Sequence, residues 1–158
     1  MSELQTRTHE SAAAVKMPRP CPVAAALDVV GERWSLLVIR ELFYEVRRFD
    51  RIAQATGAPR NILASRLRDL EAAGVVARSM YSQHPPRYEY HLTRAGRDLL
   101  PVLLALREWG QEHTMRPAPE LLHRCGQRHG QRGAHPLHVT TVCITCGERV
   151  HADDVRAP

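Results

Sequence analysis

The C-terminal part of the chain carries cysteines and histidines at spacings that suit a metal ion. Cys143 and Cys146 are separated by two residues and followed by Gly147, the spacing of a zinc knuckle in which glycine lets the backbone turn toward the thiolates. Cys125 also precedes a glycine, and His123 stands two residues before it. Three thiolates and one imidazole complete a tetrahedral site, so we predict a structural Zn²⁺ ion held by Cys125, Cys143, Cys146 and His123.

Other interpretations of this segment stay open. The spacing His123-x-Cys125 is one residue shorter than the usual Cys-x₂-Cys, and His129, His135 or His138 could supply the fourth ligand instead. A Cys-x-x-Cys pair can also do redox chemistry, or the segment can be a degenerate ribbon that binds no metal. Few apolar residues follow position 120, and so small a core favours a cross-link.

A second group of chemistry-bearing residues lies between Pro59 and Arg68. A helix that reads the major groove of DNA needs short polar or basic residues near its N-terminus and an apolar back. The apolar back is predicted to consist of Ile62, Leu63 and Leu67. The outward DNA-binding candidates are Arg60, Asn61, Ser65, Arg66 and Arg68. The same pattern is also typical of an ordinary solvated helix. The neighbouring elements must therefore distinguish a DNA-binding helix from such a helix.

Charge and length narrow the function classes. The chain has 158 residues, 44% of them apolar, and a net charge of +5. Residues 44–97 hold ten arginines against five acidic residues, which favours an anionic partner such as nucleic acid. The longest apolar stretches, near 36–39 and 99–106, are too short to span a bilayer. With no signal-peptide pattern at the N-terminus, we expect a soluble cytoplasmic protein.

Hydrophobic periodicity predicts four helices before residue 75. They open at Pro22, at Ser35 as N-cap, at Arg48 and at Pro59. Glycines 31, 57 and 74 are the expected helix ends.

The period then changes to that of strands. Segments 75–82 and 87–93 flank a proline-containing tip, so they predict a hairpin that presents His84 and Arg87 to DNA. Thr93 can cap a long helix over 94–114, whose expected inward stripe is Leu99, Val102, Leu103, Leu106 and Trp109.

These elements together predict a mainly α protein with a small β-hairpin (α+β), a winged helix-turn-helix. We expect a disordered or loosely docked arm over 1–19, the winged domain over 20–116 and a small Cys/His-rich module over 117–158.

The chain resembles the HxlR-type winged-helix transcriptional regulators over about residues 20–114. The anchors are a Cys-Pro start, a Gly-x-x-Trp and a Tyr-x-Leu-Thr-x-x-Gly. In this sequence they read Cys21-Pro22-Val23, Gly31-Glu32-Arg33-Trp34, Arg48-Phe49-Asp50, Arg66-Leu67-Arg68-Asp69-Leu70-Glu71, Gly74-Val75-Val76, Pro86-Arg87-Tyr88-Glu89-Tyr90 and Leu92-Thr93 through Gly96.

The resemblance implies a homodimer that binds an inverted-repeat operator in double-stranded DNA and acts as repressor or activator. Its dimers pair through the first and last helices, here 22–30 and 94–114. Cys21 matches a position that is a thiol sensor in some members, although it could equally be a small buried residue of the dimer seam. The chain departs from the family at Ala58-Pro59, where a Ser or Thr cap is usual, so one phosphate-binding hydroxyl is expected to be missing.

Two other function classes remain to be weighed against a ligand- or redox-responsive regulator. A zinc or thiol enzyme is disfavoured because the chain lacks HExxH, a nucleophile elbow, a phosphate loop and the deaminase motif pair. A winged-helix adaptor that binds protein is the other alternative. No residue marks an effector pocket.

Overall fold

The computed structural model describes residues 20–114, 119–125 and 133–156. The predicted arm over 1–19 and most of the predicted boundary near 117–119 lie outside these ranges. The elements are α1 (Pro22–Val30), α2 (Arg33–Phe43), α3 (Phe49–Thr56), α4 (Arg60–Ala72), β1 (Val76–Gln83), β2 (Pro86–Leu92), α5 (Arg94–Arg97), α6 (Leu100–His113), β3 (Leu122–Cys125), β4 (Gly133–Pro136) and a 3₁₀ turn (Ala152–Asp154).

The core lies among α2, α3 and α4, with the start of β1 closing one side. Its fully or nearly fully buried side chains are Val38, Ile39, Ile52, Leu63, Leu67, Leu70 and Val76. Leu103 of α6 and Leu99, which immediately precedes α6, are partly buried and pack against this cluster. The winged helix-turn-helix predicted from the sequence is therefore confirmed.

Glycines follow three of the helices as predicted, Gly31 as the C-cap of α1 and two others with positive φ. Gly57 follows α3 with φ of 72° and Gly74 follows α4 with φ of 71°, a left-handed conformation in which a side chain would be strained. The predicted start of α2 is wrong. Ser35 is buried inside the helix, and the N-cap position belongs to Glu32.

The wing is an antiparallel ribbon of β1 and β2, with Val76 opposite Leu92 and Met80 opposite Tyr88. Its base is tied to the helices by Thr93, whose hydroxyl donates to the Gly74 carbonyl at 2.6 Å and accepts from the Gly96 N–H at 3.2 Å. The predicted capping role of Thr93 is thus confirmed, and the ribbon leaves the core at a fixed point.

The predicted continuous helix over 94–114 is wrong, because it divides into α5 and α6. Pro101 lies in the first turn of α6. Its ring would clash with the carbonyl of Arg97 in a continuous helix, and it has no N–H to donate there. The chain therefore starts a new helix at Leu100.

The predicted inward stripe of the last helix is also only partly correct. Leu99 and Leu103 pack on the core, whereas Val102, Leu106 and Trp109 are exposed, Trp109 by 60%. α1 shows the same feature, since Val23 and Leu27 are 66% and 55% exposed. The single chain thus carries more apolar surface on its first and last helices than its own core covers.

The tail contains a second ribbon, β3 and β4, with His123 opposite His135 and Cys125 opposite Gly133. A tight turn over 141–150 follows it, closed by a bridge between Val142 and Arg149. Within the described ranges, none of the helices has the length and apolar character needed to cross a membrane.

Two neighbouring residues of α4 test the placement of the core. Leu63 is fully buried, whereas Ile62, which was predicted to face inward, is 37% exposed. Leu63→Ala should lower the free energy of unfolding by about 2–5 kcal/mol, and Ile62→Ala by at most about 1 kcal/mol. Urea unfolding at one fixed protein concentration measures both, and equal losses would contradict this packing.

Candidate nucleic-acid interface

The side of α4 away from its buried leucines carries most of the predicted DNA-binding residues. Because its back is fixed by Leu63, Leu67 and Leu70, residues 61, 64, 65 and 68 lie on the other side of the helix at helical spacing, while Arg60 projects from the first turn toward α3. Arg60, Asn61 and Arg68 are exposed, and Ser65 is half-buried. Ala64, which the sequence analysis did not single out, lies on this face, where its methyl group could meet a thymine methyl.

Arg60 is held in place by α3. Its guanidinium lies 2.6 Å from the Asp50 carboxylate and stacks over the Phe49 ring at 4.9 Å. Both side chains of the ion pair are mostly exposed, 69% and 78%, so the pair contributes little to stability. It does orient a long side chain that would otherwise sample many rotamers.

The other two arginines of α4 have partners within the helix. Arg66 lies on the flank and pairs with Asp69 at 3.0 Å, with only 27% of its side chain exposed. Arg68 donates from Nε to the Ala64 carbonyl at 3.2 Å. Arg66 is therefore the least available of the predicted DNA contacts.

The wing is positioned by the segment before α3. Arg48 and Glu89 form a β-bridge and an ion pair with 3.2 Å between Nε and Oε1. The Tyr90 N–H also donates to the Arg47 carbonyl at 2.9 Å. These contacts hold the ribbon beside the N-terminal ends of α3 and α4.

The result is a basic groove between α3, the N-terminus of α4 and the wing. It is lined by Arg48, Phe49, Asp50, Arg51, Arg60, Tyr81, Pro86, Arg87, Tyr88 and Tyr90. Four arginines thus face one aspartate, and the positive end of the α4 macrodipole lies at the same place. Two predicted contacts, Arg60 and Arg87, meet in this groove, while His84 occupies the ribbon tip.

Arg48, Arg51 and Tyr81 also line the groove, although they were not predicted from the sequence. The run Arg47-Arg48-Phe49-Asp50-Arg51 indicated the two arginines, because it concentrates positive charge at the start of a helix. Tyr81 is stacked under the Arg48 guanidinium at 4.9 Å. Burial raises the pKa of Tyr90 above its ordinary value, although Arg78 opposes this, so its hydroxyl remains a donor at neutral pH.

The predicted metal ligands fall into two places in the tail. The Cys143 thiol accepts hydrogen bonds from the backbone N–H groups of Cys146 and Thr145, which lower its pKa. His123 and His135 lie against each other across the β3–β4 ribbon, 5.2 Å apart between ring centroids. Within the described residues, no three side chains of the ligand-forming types gather around one point. Cys125 is described by its backbone only, and His129 lies outside the described ranges.

Cys21 occupies the N-cap position of α1 as a half-buried free thiol. It therefore lies at the edge of the exposed apolar surface on the first helix.

Comparison with known proteins assigns the chain to a family. The model of the HxlR-like helix-turn-helix family matches residues 29–118. This chain belongs to that family and is a transcriptional regulator. The HTH-type transcriptional regulator Rv3095 of Mycobacterium tuberculosis is 43% identical over 137 residues, which cover 84% of this chain and 82% of the relative.

Solved structures show the same fold. PA1607, described as a transcription factor, matches with a TM-score of 0.69 and 34% identity over 87% of this chain and 94% of its own. The redox regulator HypR in its oxidized form matches with a TM-score of 0.55 and 36% identity, over 62% of this chain and all of its own. The similarity to PA1607 thus extends into the region of the tail.

Proposed function

We propose that the protein binds promoter DNA as a homodimer and reads an inverted-repeat operator. The observation that carries the proposal is the basic groove at the N-terminus of α4. A supported, outward-facing helix with Arg60 and Asn61 at its start has the form of a recognition helix. The surrounding arginines have the form of a phosphate-binding rim.

The roles of the side chains follow from their positions. Arg60, Asn61, Ser65 and Arg68 lie on the face that would enter the major groove, where guanidinium and amide groups pair with base edges. Arg87 of the wing, joined by Arg48 and Arg51, would contact the sugar-phosphate backbone. His84 at the ribbon tip would reach the adjacent backbone or minor groove.

The homodimer is supported by the uncovered apolar surfaces of α1 and α6. Val23 and Leu27 on α1, and Leu106 and Trp109 on α6, are large apolar side chains that the single chain leaves exposed. A two-fold axis through these helices would cover both copies of the same surface. It would also place two copies of α4 for two half-sites.

A regulator is favoured over an enzyme or a protein-binding adaptor. The relatives that cover most of the chain are transcriptional regulators. The groove is open and basic, as a duplex requires, and is lined by arginines and tyrosines.

Substitutions in α4 and in the wing should separate specificity from affinity. Arg60→Ala, Asn61→Ala or Ser65→Ala should weaken binding to the operator by about 1–3 kcal/mol each while leaving binding to random DNA nearly unchanged. Arg87→Ala should weaken binding to both and reduce the slope of log K against log salt by about 1.

Fluorescence anisotropy on the gene's own upstream DNA and on a shuffled duplex, over a salt series, measures both effects. Equal losses on the two duplexes for every α4 variant would refute the assignment of α4 as the reading helix.

A charge on the exposed face of α6 should split the dimer. Leu106→Glu would bury a carboxylate in the seam, at a cost that prevents association, and should give a monomer with poor operator binding. Gln111→Glu is the matched control, because it adds the same charge to the same helix at an exposed polar position. Light scattering measures the oligomeric state of the two variants. A wild type that is monomeric at micromolar concentration would contradict the proposed dimer interface.

We also propose that Cys21 makes DNA binding redox-responsive. It is a half-buried free thiol at the N-cap position of α1, and its oxidation beside α1 would disturb the seam. HypR, a structural neighbour, is a redox regulator. Cys21→Ser should bind the operator normally yet keep that binding after treatment with hydrogen peroxide, whereas wild type and the control Cys146→Ser lose it. Equal sensitivity of Cys21→Ser and wild type would exclude Cys21 as the sensor.

A further inference from the structure

We propose that Asp50 is a specificity-determining residue, which holds the Arg60 guanidinium so that its free edge pairs with a guanine base rather than with a phosphate. The proposal rests on the proposed function, since it assigns a base and a supporting side chain to the same groove. Asp50 is a positioning residue in this scheme, because it acts on the base through Arg60.

The charge of Asp50 is unexpected in a surface that only binds phosphates. Among the described residues that line the groove it is the only acidic one, and it faces four arginines. Its side chain is 78% exposed, so its charge opposes the approach of a DNA backbone. A carboxylate at this place lowers the affinity for every duplex, which phosphate binding alone does not explain.

The contacts of Arg60 show what the carboxylate does. Arg60 Nη1 lies 2.6 Å from Asp50 Oδ1, and the guanidinium carbon lies 4.9 Å from the centre of the Phe49 ring. Phe49 and Asp50 are consecutive residues at the start of α3. One contact is at the edge of the guanidinium and the other at its face, so together they fix its place and the direction of its plane.

One edge of the Arg60 guanidinium stays available. Nη1 is engaged by Asp50, whereas Nε and Nη2 donate no hydrogen bond within the part of the chain that the structure describes. Paired donors of arginine bind O6 and N7 of guanine in the major groove. A phosphate accepts the same donors, so the place at which the guanidinium is held decides between base and phosphate.

The position of Arg60 suits base reading. It is the first residue of α4, and recognition helices contact base edges with their N-terminal residues. Solvent weakens the exposed ion pair in the free protein. A duplex docked over the groove would displace that solvent and strengthen the attraction between Asp50 and Arg60, which keeps Arg60 from turning to the nearest phosphate.

A purely structural role of Asp50 is the competing explanation. An acidic side chain in the first turn of a helix interacts favourably with the positive end of the macrodipole, and Asp50 is the second residue of α3. Such a role would change the stability of the protein but not the base that it prefers. The experiment therefore measures both properties.

The experiment compares full-length wild type, Asp50→Asn, Arg60→Ala and the double variant on three kinds of duplex. These are the gene's own upstream operator, copies in which each base pair of one half-site is replaced in turn, and a shuffled sequence. Fluorescence anisotropy over a salt series gives the affinities, and thermal unfolding gives the stability of each variant. Asp69→Asn is the matched control, because it removes a carboxylate from the Arg66–Asp69 pair on α4, outside the lining of the groove.

Wild type should prefer a G·C pair at one position of the half-site by at least about fivefold, and Arg60→Ala should lose that preference. Asp50→Asn should lower it to about twofold or less, yet bind the shuffled duplex about two- to fivefold more tightly. Its slope of log K against log salt should be steeper by about 1, because Arg60 gains a phosphate contact. In the Arg60→Ala background, Asp50→Asn should change neither the base preference nor the slope. Asp69→Asn should keep the wild-type base preference.

A folded Asp50→Asn variant with the wild-type base preference would overturn the proposal, even where Arg60→Ala loses that preference. A lower unfolding temperature of Asp50→Asn without a change in base preference or salt slope would show a helix-stabilising role alone, and would also overturn it. A wild type that binds the operator and the shuffled duplex equally would refute the proposed function itself, so the two failures are distinguishable.

Discussion

The packing of α4 onto α2 and α3 is the constraint on which the rest of the molecule depends. Leu63, Leu67 and Leu70 are buried on one side of α4, against a cluster that includes Ile39 and Ile52. Each such side chain contributes about 1.5–3 kcal/mol when fully buried. Rotation of α4 about its axis would expose these leucines to water. The direction in which its outward side chains point is therefore fixed.

The electrostatics of the groove are built on that fixed helix. Asp50 and Phe49 hold Arg60, and the bridge between Arg48 and Glu89 keeps the wing beside it. Long-range attraction to phosphates supplies affinity and depends on salt, whereas contacts to base edges supply specificity. The proposed function places these two tasks on different elements, the rim and α4, which makes them experimentally separable.

Much of the winged domain was predictable from the sequence because local signals and global packing agree. Gly57 and Gly74 end helices where only a left-handed residue fits, and the change of period after residue 75 marks the ribbon. Two predictions about helix boundaries were wrong. Pro101 divides the last helix, and Ser35 is buried because α2 starts before it.

The site was less predictable because it depends on contacts between distant segments. Spacing identified Arg60 and Arg87 but could not show that Arg48 and Arg51 join them, since the Arg48–Glu89 bridge spans 41 positions. The same limit applies to the tail, where strand register, invisible in the spacing of cysteines, pairs His123 with His135. Likewise, the sequence could not show that Trp109 and Leu106 are exposed. Only the structure shows that they lie outside the core cluster.

The most direct test of the central claim is a hydroxyl-radical footprint on the gene's upstream DNA, combined with the number of chains bound per duplex. The account predicts two chains and two protected half-sites whose centres lie about 10–10.5 base pairs apart, or a multiple of one turn, related by an inverted repeat. A single protected site with one bound chain, or uniform protection independent of sequence, would contradict it.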